Sequence, residues 1–186
     1  LVINNSFGFG KSSLLSTLGR QPAGLHAHFS RSAADYLQGA AATVEVARHL
    51  DLTAFFSYRT IDATRSDSGT ISTVLKTGYH RTEREMSRKD TAAQSVAGTH
   101  LGWSCGAFRM GLTGIYSRFS SDLTPDTTLY YRRYAPSGNG FWNISVDYSC
   151  LHHRWSVTGE TATDSRGSLA TVNNLSFHAA SGLSLL

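Results

Sequence analysis

Several groups of residues in this 186-residue chain have types and spacings that invite a chemical reading. Gly8-Phe-Gly-Lys-Ser-Ser13 resembles a phosphate-binding loop. The full pattern needs a glycine five residues before Gly10, where this chain has Asn5. It also needs a buried strand before it and a helix after it, so nucleotide binding is set aside. His152 and His153, with His100 and His178, offer imidazoles to a metal. Adjacent residues on a strand point to opposite faces, so the pair is not a chelate by itself. Cys105 and Cys150 stand outside any C-x-x-C, and two free thiols near strand ends are expected. A Ser–His–Asp set can be drawn from any chain this rich in serine, but no motif fixes a nucleophile beside its base. Three Asn-x-Ser triplets, at Asn4, Asn143 and Asn174, match the glycosylation sequon, but each falls within an expected strand. No catalytic residue, metal or cofactor is expected.

Charge narrows the partners. The net charge is +4, yet the basic residues are scattered. The densest stretch, 81–89, also carries Glu83 and Glu85 and ends beside Asp90. A nucleic-acid footprint is concentrated on one patch, so no nucleic-acid partner is expected for this segment. Charged residues make up 16% of the chain, against about 25% in an average soluble protein. The chain holds 25 serines and 19 threonines, with 11% aromatics. Low charge excludes a disordered tail or a charged coiled coil. Hydroxyl and aromatic side chains favour strands. No run of 18 apolar residues exists to form a membrane helix.

The elements behind these residues show a period of two. Trp142, Ile144, Val146 and Tyr148 alternate with Asn143, Ser145, Asp147 and Ser149. Similar alternation runs from Phe108 to Tyr116, from Trp155 to Gly159 and from Leu52 to Tyr58. Strands are expected at 1–7, 24–32, 39–48, 52–62, 93–105, 107–119, 140–151, 154–163, 168–178 and from 182 onward. Most are 9 to 13 residues long, which suits the 9–11 residues of a membrane-crossing strand better than the five or six of a soluble one. Connections at 49–51, 105–106, 151–153 and 179–181 are short, and those at 63–92 and 120–139 are long. Segment 82–89 is expected to hold a short helix through Glu85 and Lys89 at i,i+4. Segment 8–23, with Leu14, Leu15 and Leu18, reads as a short helix or an inward plug. Both chain ends look cut from something longer.

The expected fold is therefore all-β: an antiparallel transmembrane β-barrel, or part of one, of about ten strands, spanning 1–186 as one domain. Short turns lie on the periplasmic side and long loops outside. Phe56, Tyr58, Met110, Leu112, Ile144, Val146 and Val157 are expected to face lipid. Ser145 and the charged residues Glu45, Arg59, Arg109, Arg118, Asp147 and Glu160 are expected to face the lumen. Three arginines against three carboxylates give the lumen no strong ionic preference.

The stretches Leu1 to Lys11, Ala34 to Gly39, Thr77 to Thr82 and Gly159 to Thr163 resemble the interior of outer-membrane barrels of Bacteroidota. In that group a barrel often follows an N-terminal helix-hairpin-helix domain, which has no counterpart in this chain. The resemblance implies a barrel in a bacterial outer membrane, with the lipid bilayer as its partner, and assigns no catalytic residue. The expected function is a pore or a transport and uptake component. The alternatives are a soluble β-sandwich acting as an adhesin or carbohydrate-binding module, and an outer-membrane enzyme.

Overall fold

The computed structural model describes residues 36–128, 130–180 and 183–185. They form one ten-stranded sheet. Its strands are β1 (Gly39–Ala47), β2 (Leu50–Ile61), β3 (Ala63–Arg65), β4 (Ile71–Val74), β5 (Ala92–Cys105), β6 (Phe108–Leu123), β7 (Gly138–His152), β8 (Trp155–Asp164), β9 (Leu169–Ala180) and β10 (Leu183–Leu185). One short helix, α1 (Glu83–Met86), and a 3-10 turn at Tyr130–Arg132 complete the described elements. The strands expected at 1–7 and 24–32, and the stretch 8–23, lie outside the described residues.

The path β1-β2-β5-β6-β7-β8-β9-β10 joins neighbours antiparallel throughout. Each expected strand from residue 39 onward is present. The expectation of a closed barrel is corrected: among the described residues the sheet is open, with β1 at one edge and β10 at the other. The β3–β4 hairpin was not expected either. Its strands have three and four residues, too few for a period of two to show.

Cross-strand register settles which side chains share a face, because directly opposed residues point the same way. Leu52 pairs with Leu101, Leu101 with Leu112, Leu112 with Val146 and Val146 with Thr161. The row nearer the long connections runs Phe56, Ala97, Tyr116, Trp142. A row nearer the short turns runs Leu50, Trp103, Met110, Tyr148. This face is apolar, and nothing in the described structure covers it. Phe56, Leu112 and Ile144 are 55%, 48% and 45% exposed. The opposite face is polar toward the short turns and is the more sheltered of the two. Ser57 and Ser176 on it are 3% and 8% exposed. The sheet is thus inside-out relative to a soluble one.

Short turns join β1 to β2, β5 to β6 and β7 to β8 at one end. Each holds a residue in the left-handed region: His49 (φ 67), Gly106 (φ 58) and His153 (φ 52). The long connections, 62–91 and 124–137, leave the other end together. There the first of them, with the ends of β2, β5 and β6, builds the only buried apolar cluster among the described residues. Ile71 is 0% exposed and packs with Ile61, Ala63 and Ala92, flanked by Val74, Phe119 and Leu123. The Ile71 carbonyl accepts from the Thr124 N–H at 2.8 Å, and the Thr70 and Thr124 hydroxyls bond at 2.6 Å. Arg65 donates to the Ser121 hydroxyl at 2.9 Å. Arg166, in the β8–β9 turn, donates to the Tyr134 and Ala135 carbonyls at 3.3 and 2.9 Å. The two long connections and this turn form one cap.

Ile71→Ala should destabilise this cap by about 2–5 kcal/mol, since the site is enclosed by the sheet end and cannot collapse freely. Limited proteolysis should then cut 62–91 and 124–137 faster while β5–β8 stay resistant. Unchanged cleavage of both connections would show that Ile71 does not hold the cap.

Candidate functional site

The polar face carries the chemistry-bearing residues. Five of the six expected lumen residues share it: Glu45, Arg59, Arg109, Asp147 and Glu160. Arg118 does not. It pairs with Ser95 and Gly140 and has the same parity as Met110, Leu112 and Tyr116, so it lies on the apolar face. The expectation for Arg118 is corrected by counting: residues an even number apart on one strand share a face.

The five are not gathered into one place. Glu45 opposes Asp51, Asp51 opposes Gly102, Gly102 opposes Gly111, Gly111 opposes Asp147, and Asp147 opposes Glu160. One register row across six strands thus holds four carboxylates and no cation. Arg109 is one row nearer the short turns, between Ser104 and Ser149. Arg59 is eight residues from Asp51 on β2, or about 26 Å at the usual strand rise. Its guanidinium donates to Gln94 Oε1 at 3.4 Å and lies 5.1 Å from the centre of the Tyr36 ring. Asp51 is the functional residue that sequence reasoning missed. It was placed in the turn, although its parity with Thr53 and Arg59 puts it on the polar face.

Like charges directly opposed repel one another, so this row needs room and water. Two glycines supply the room. A Cβ at Gly111 would overlap the Asp147 carboxylate and crowd the His100 ring, and one at Gly102 would come within 3.3 Å of His100 Nε2. Asp147 and His100 therefore lean over Gly111. The His100 ring also bonds the Thr113 hydroxyl through Nδ1 at 2.9 Å. Among the described residues no three His, Cys, Asp or Glu side chains are placed to hold a metal. His152 and His153 stack edge to face, with ring centres 4.2 Å apart. Cys105 and Cys150 are free thiols.

A second polar centre sits at the rim beside the cap. Asp62 Oδ2 accepts from His80 Nε2 at 2.7 Å, and Asp62 Oδ1 accepts from the Asp90 N–H at 3.0 Å. Asp90 in turn accepts from the Thr60 hydroxyl at 2.7 Å. Together these bonds tie segment 78–91 to the end of β2. Within the segment, Thr82 caps α1, and Glu85 completes a capping box with it. Glu85 also accepts from the Arg81 N–H at 2.7 Å. The expected helix is thus present, but Thr82 and Arg81 hold Glu85 in place of Lys89. Burial raises the Asp62 carboxyl, while the Asp90 N–H, the His80 ring and Lys89 together bring it below its ordinary value.

Comparison of the chain with protein-family models, with curated proteins and with solved structures finds no match.

A carboxyl whose folded pKa is depressed stabilises above its unfolded pKa, here about 3.9 for Asp. That stabilisation is lost as pH falls through the folded value. The tie between 78–91 and β2 should therefore hold at neutral pH and release below about pH 4. Protection of the Asp90 amide hydrogen from exchange should fall in that acid range, and in Asp62→Ala it should be lost at every pH. A protected Asp90 amide in Asp62→Ala would show that the carboxylate does not fasten the segment.

Proposed function

We propose that this chain forms part of the wall of a transmembrane β-barrel in a bacterial outer membrane and serves as a pore or transport component. The observation that carries the reading is the inverted sheet, uncovered among the described residues on its apolar face and sheltered on its polar one. In water such a face would leave rows of large side chains without partners, and monomeric soluble proteins rarely expose so large a patch. In lipid it is the expected outer surface. The apolar stripe on β6 runs from Phe108 to Tyr116 and that on β7 from Trp142 to Cys150. Each covers about nine residues, the length that crosses a bilayer. Trp103, Phe108 and Trp155 lie toward the short turns, and Phe56, Tyr116 and Trp142 toward the cap, as in two interfacial girdles. In this reading the β1 and β10 edges must be paired by further strands, because lipid offers nothing to an unpaired edge.

Facing is the direct test. With Cys105 and Cys150 changed to Ser, Ser145→Cys should react with a water-soluble maleimide in a bilayer. Ile144→Cys should react only with a membrane-soluble reagent. Equal aqueous labelling of both positions would defeat the membrane reading. Lipid-independent protection of Ile144→Cys would favour a soluble sandwich, with a second sheet over the apolar face.

The lumen reading also gains a sign from the row Glu45–Asp51–Asp147–Glu160. Rings of carboxylates favour cations. Of the three arginines expected in the lumen, Arg118 is on the outer face and Arg59 far along the strand, which leaves Arg109 near that row. The full-length protein in a planar bilayer should conduct with a preference for cations. Replacing Asp147 and Glu160 with Lys should reverse or abolish that preference. An anion preference in the unmodified protein would place the acidic row away from the narrowest part of the path.

A further inference from the structure

On the apolar face, Arg118 is a cation that neither the fold nor the proposed pore uses. Arg118 stands one register row beyond Tyr116 and Trp142, toward the cap. Its strand neighbours, Ser95 and Gly140, are small, and its side chain is exposed. Among the described residues it makes no ion pair. The phenol hydroxyl of Tyr116 reaches toward it: a Cβ at Gly140, Arg118's partner, would lie 2.7 Å from that oxygen. The Tyr116 hydroxyl therefore lies over the residue that pairs with Arg118, on the same face.

Directly below them, toward mid-sheet, is an apolar groove of about 400 Å³. Ala97, Thr99 and Gly114 form its floor, and Tyr116, Trp142 and Ile144 its wall. Small side chains meet in one row here, Ala54, Thr99, Gly114, between rows of large ones. Arg118 and Gly114 are four residues apart, or about 13 Å along the strand.

We infer that this patch binds one phosphate-bearing acylated lipid of the cap-side leaflet, with its phosphate on Arg118 and the Tyr116 hydroxyl and an acyl chain in the Gly114 groove. The inference rests on the barrel reading, which makes this face the lipid-facing one. Charge complementarity selects the head: a planar guanidinium matches phosphate oxygens two at a time, and the bond is strong where water is scarce. The position selects the lipid over a soluble anion. The cation lies just beyond the aromatic row, where headgroups sit, and the groove runs away from it into the apolar band.

The test uses the full chain in phosphatidylcholine nanodiscs, with Trp103 and Trp155 changed to Phe so that Trp142 is the reporter. Phosphatidic acid with brominated acyl chains should quench Trp142 well beyond its mole fraction, and brominated phosphatidylcholine should not. Arg118→Gln should weaken this preference about tenfold, the loss of one charge-assisted bond. Gly114→Leu should fill the groove and reduce quenching while Arg118 remains. Quenching at bulk mole fraction, unaffected by Arg118→Gln, would overturn the site. So would displacement of the lipid by an equal concentration of inorganic phosphate, since the groove would then contribute nothing. A chain that does not enter the nanodisc at all defeats the barrel reading, whereas an embedded chain with bulk-like quenching defeats only the lipid site.

Discussion

Everything in this structure depends on register. A strand turns successive side chains to opposite faces, so a slip of one residue between neighbours exchanges the two faces completely. Here a slip would move Arg109, Asp147 and Glu160 among Leu112, Val146 and Leu101. In a bilayer an Arg at mid-depth costs about 2–4 kcal/mol, with smaller costs for the acids. The register is fixed in two ways. Tight turns with a left-handed residue at His49, Gly106 or His153 leave little freedom in how their strands meet. Large side chains also lie over glycines on neighbouring strands: the Tyr148 ring over Gly159, the Phe55 ring over Gly98 and the Asp147 carboxylate over Gly111. Shifting a strand would put a Cβ under each of them.

The same constraint explains where the packed core is found. Among the described residues the sheet has no second layer to bury its side chains against, so its middle holds no core of its own. Burial becomes possible only where chain folds back over the sheet end. The 62–91 connection does this with Ile71 and Val74, and the polar face becomes apolar there, at Val96, Phe119, Leu123 and Phe141. The Phe119 and Phe141 rings meet edge-on, 6.1 Å between centres. The polar row of carboxylates lies toward the opposite end, beyond the reach of this cluster. Packing and charge are thus separated along the strands, while apolar and polar character is separated across them.

Most of the strand framework was legible in the sequence because it follows from alternation and length alone. Trp142 to Tyr148 and Phe108 to Tyr116 could be assigned a face without any structure. What failed did so for identifiable reasons. Arg118 was grouped by its charge, not by its parity, and parity decides the face. Asp51 was hidden in a turn because the β1–β2 connection is one or two residues tighter than its polar composition suggests. The β3–β4 hairpin escaped because strands of three and four residues owe their existence to tertiary contacts, here the parallel bridge between Ile71 and Leu123. The row of four carboxylates was invisible for a deeper reason. Its members come from four strands spread over more than a hundred residues, and only pairing brings them into line.

That alignment changes what the charges can do. Counted along the chain, three arginines and three carboxylates cancel. Placed by register, they divide into four environments: an acidic row on the sheltered face, a guanidinium beside it on Arg109, Arg59 far along the same face, and Arg118 at the edge of the apolar face. Long-range cancellation would need these charges to lie within a Debye length of one another in a common solvent, about 8–10 Å at ordinary ionic strength. Arg59 is farther than that from the acidic row, and Arg118 is on the other side of the sheet. Each group therefore acts on what is next to it. For the acidic row that is whatever enters the sheltered side, and for Arg118 it is whatever touches the outer one. A balance among these six charges is compatible with two faces of different charge, and the register of the sheet creates both.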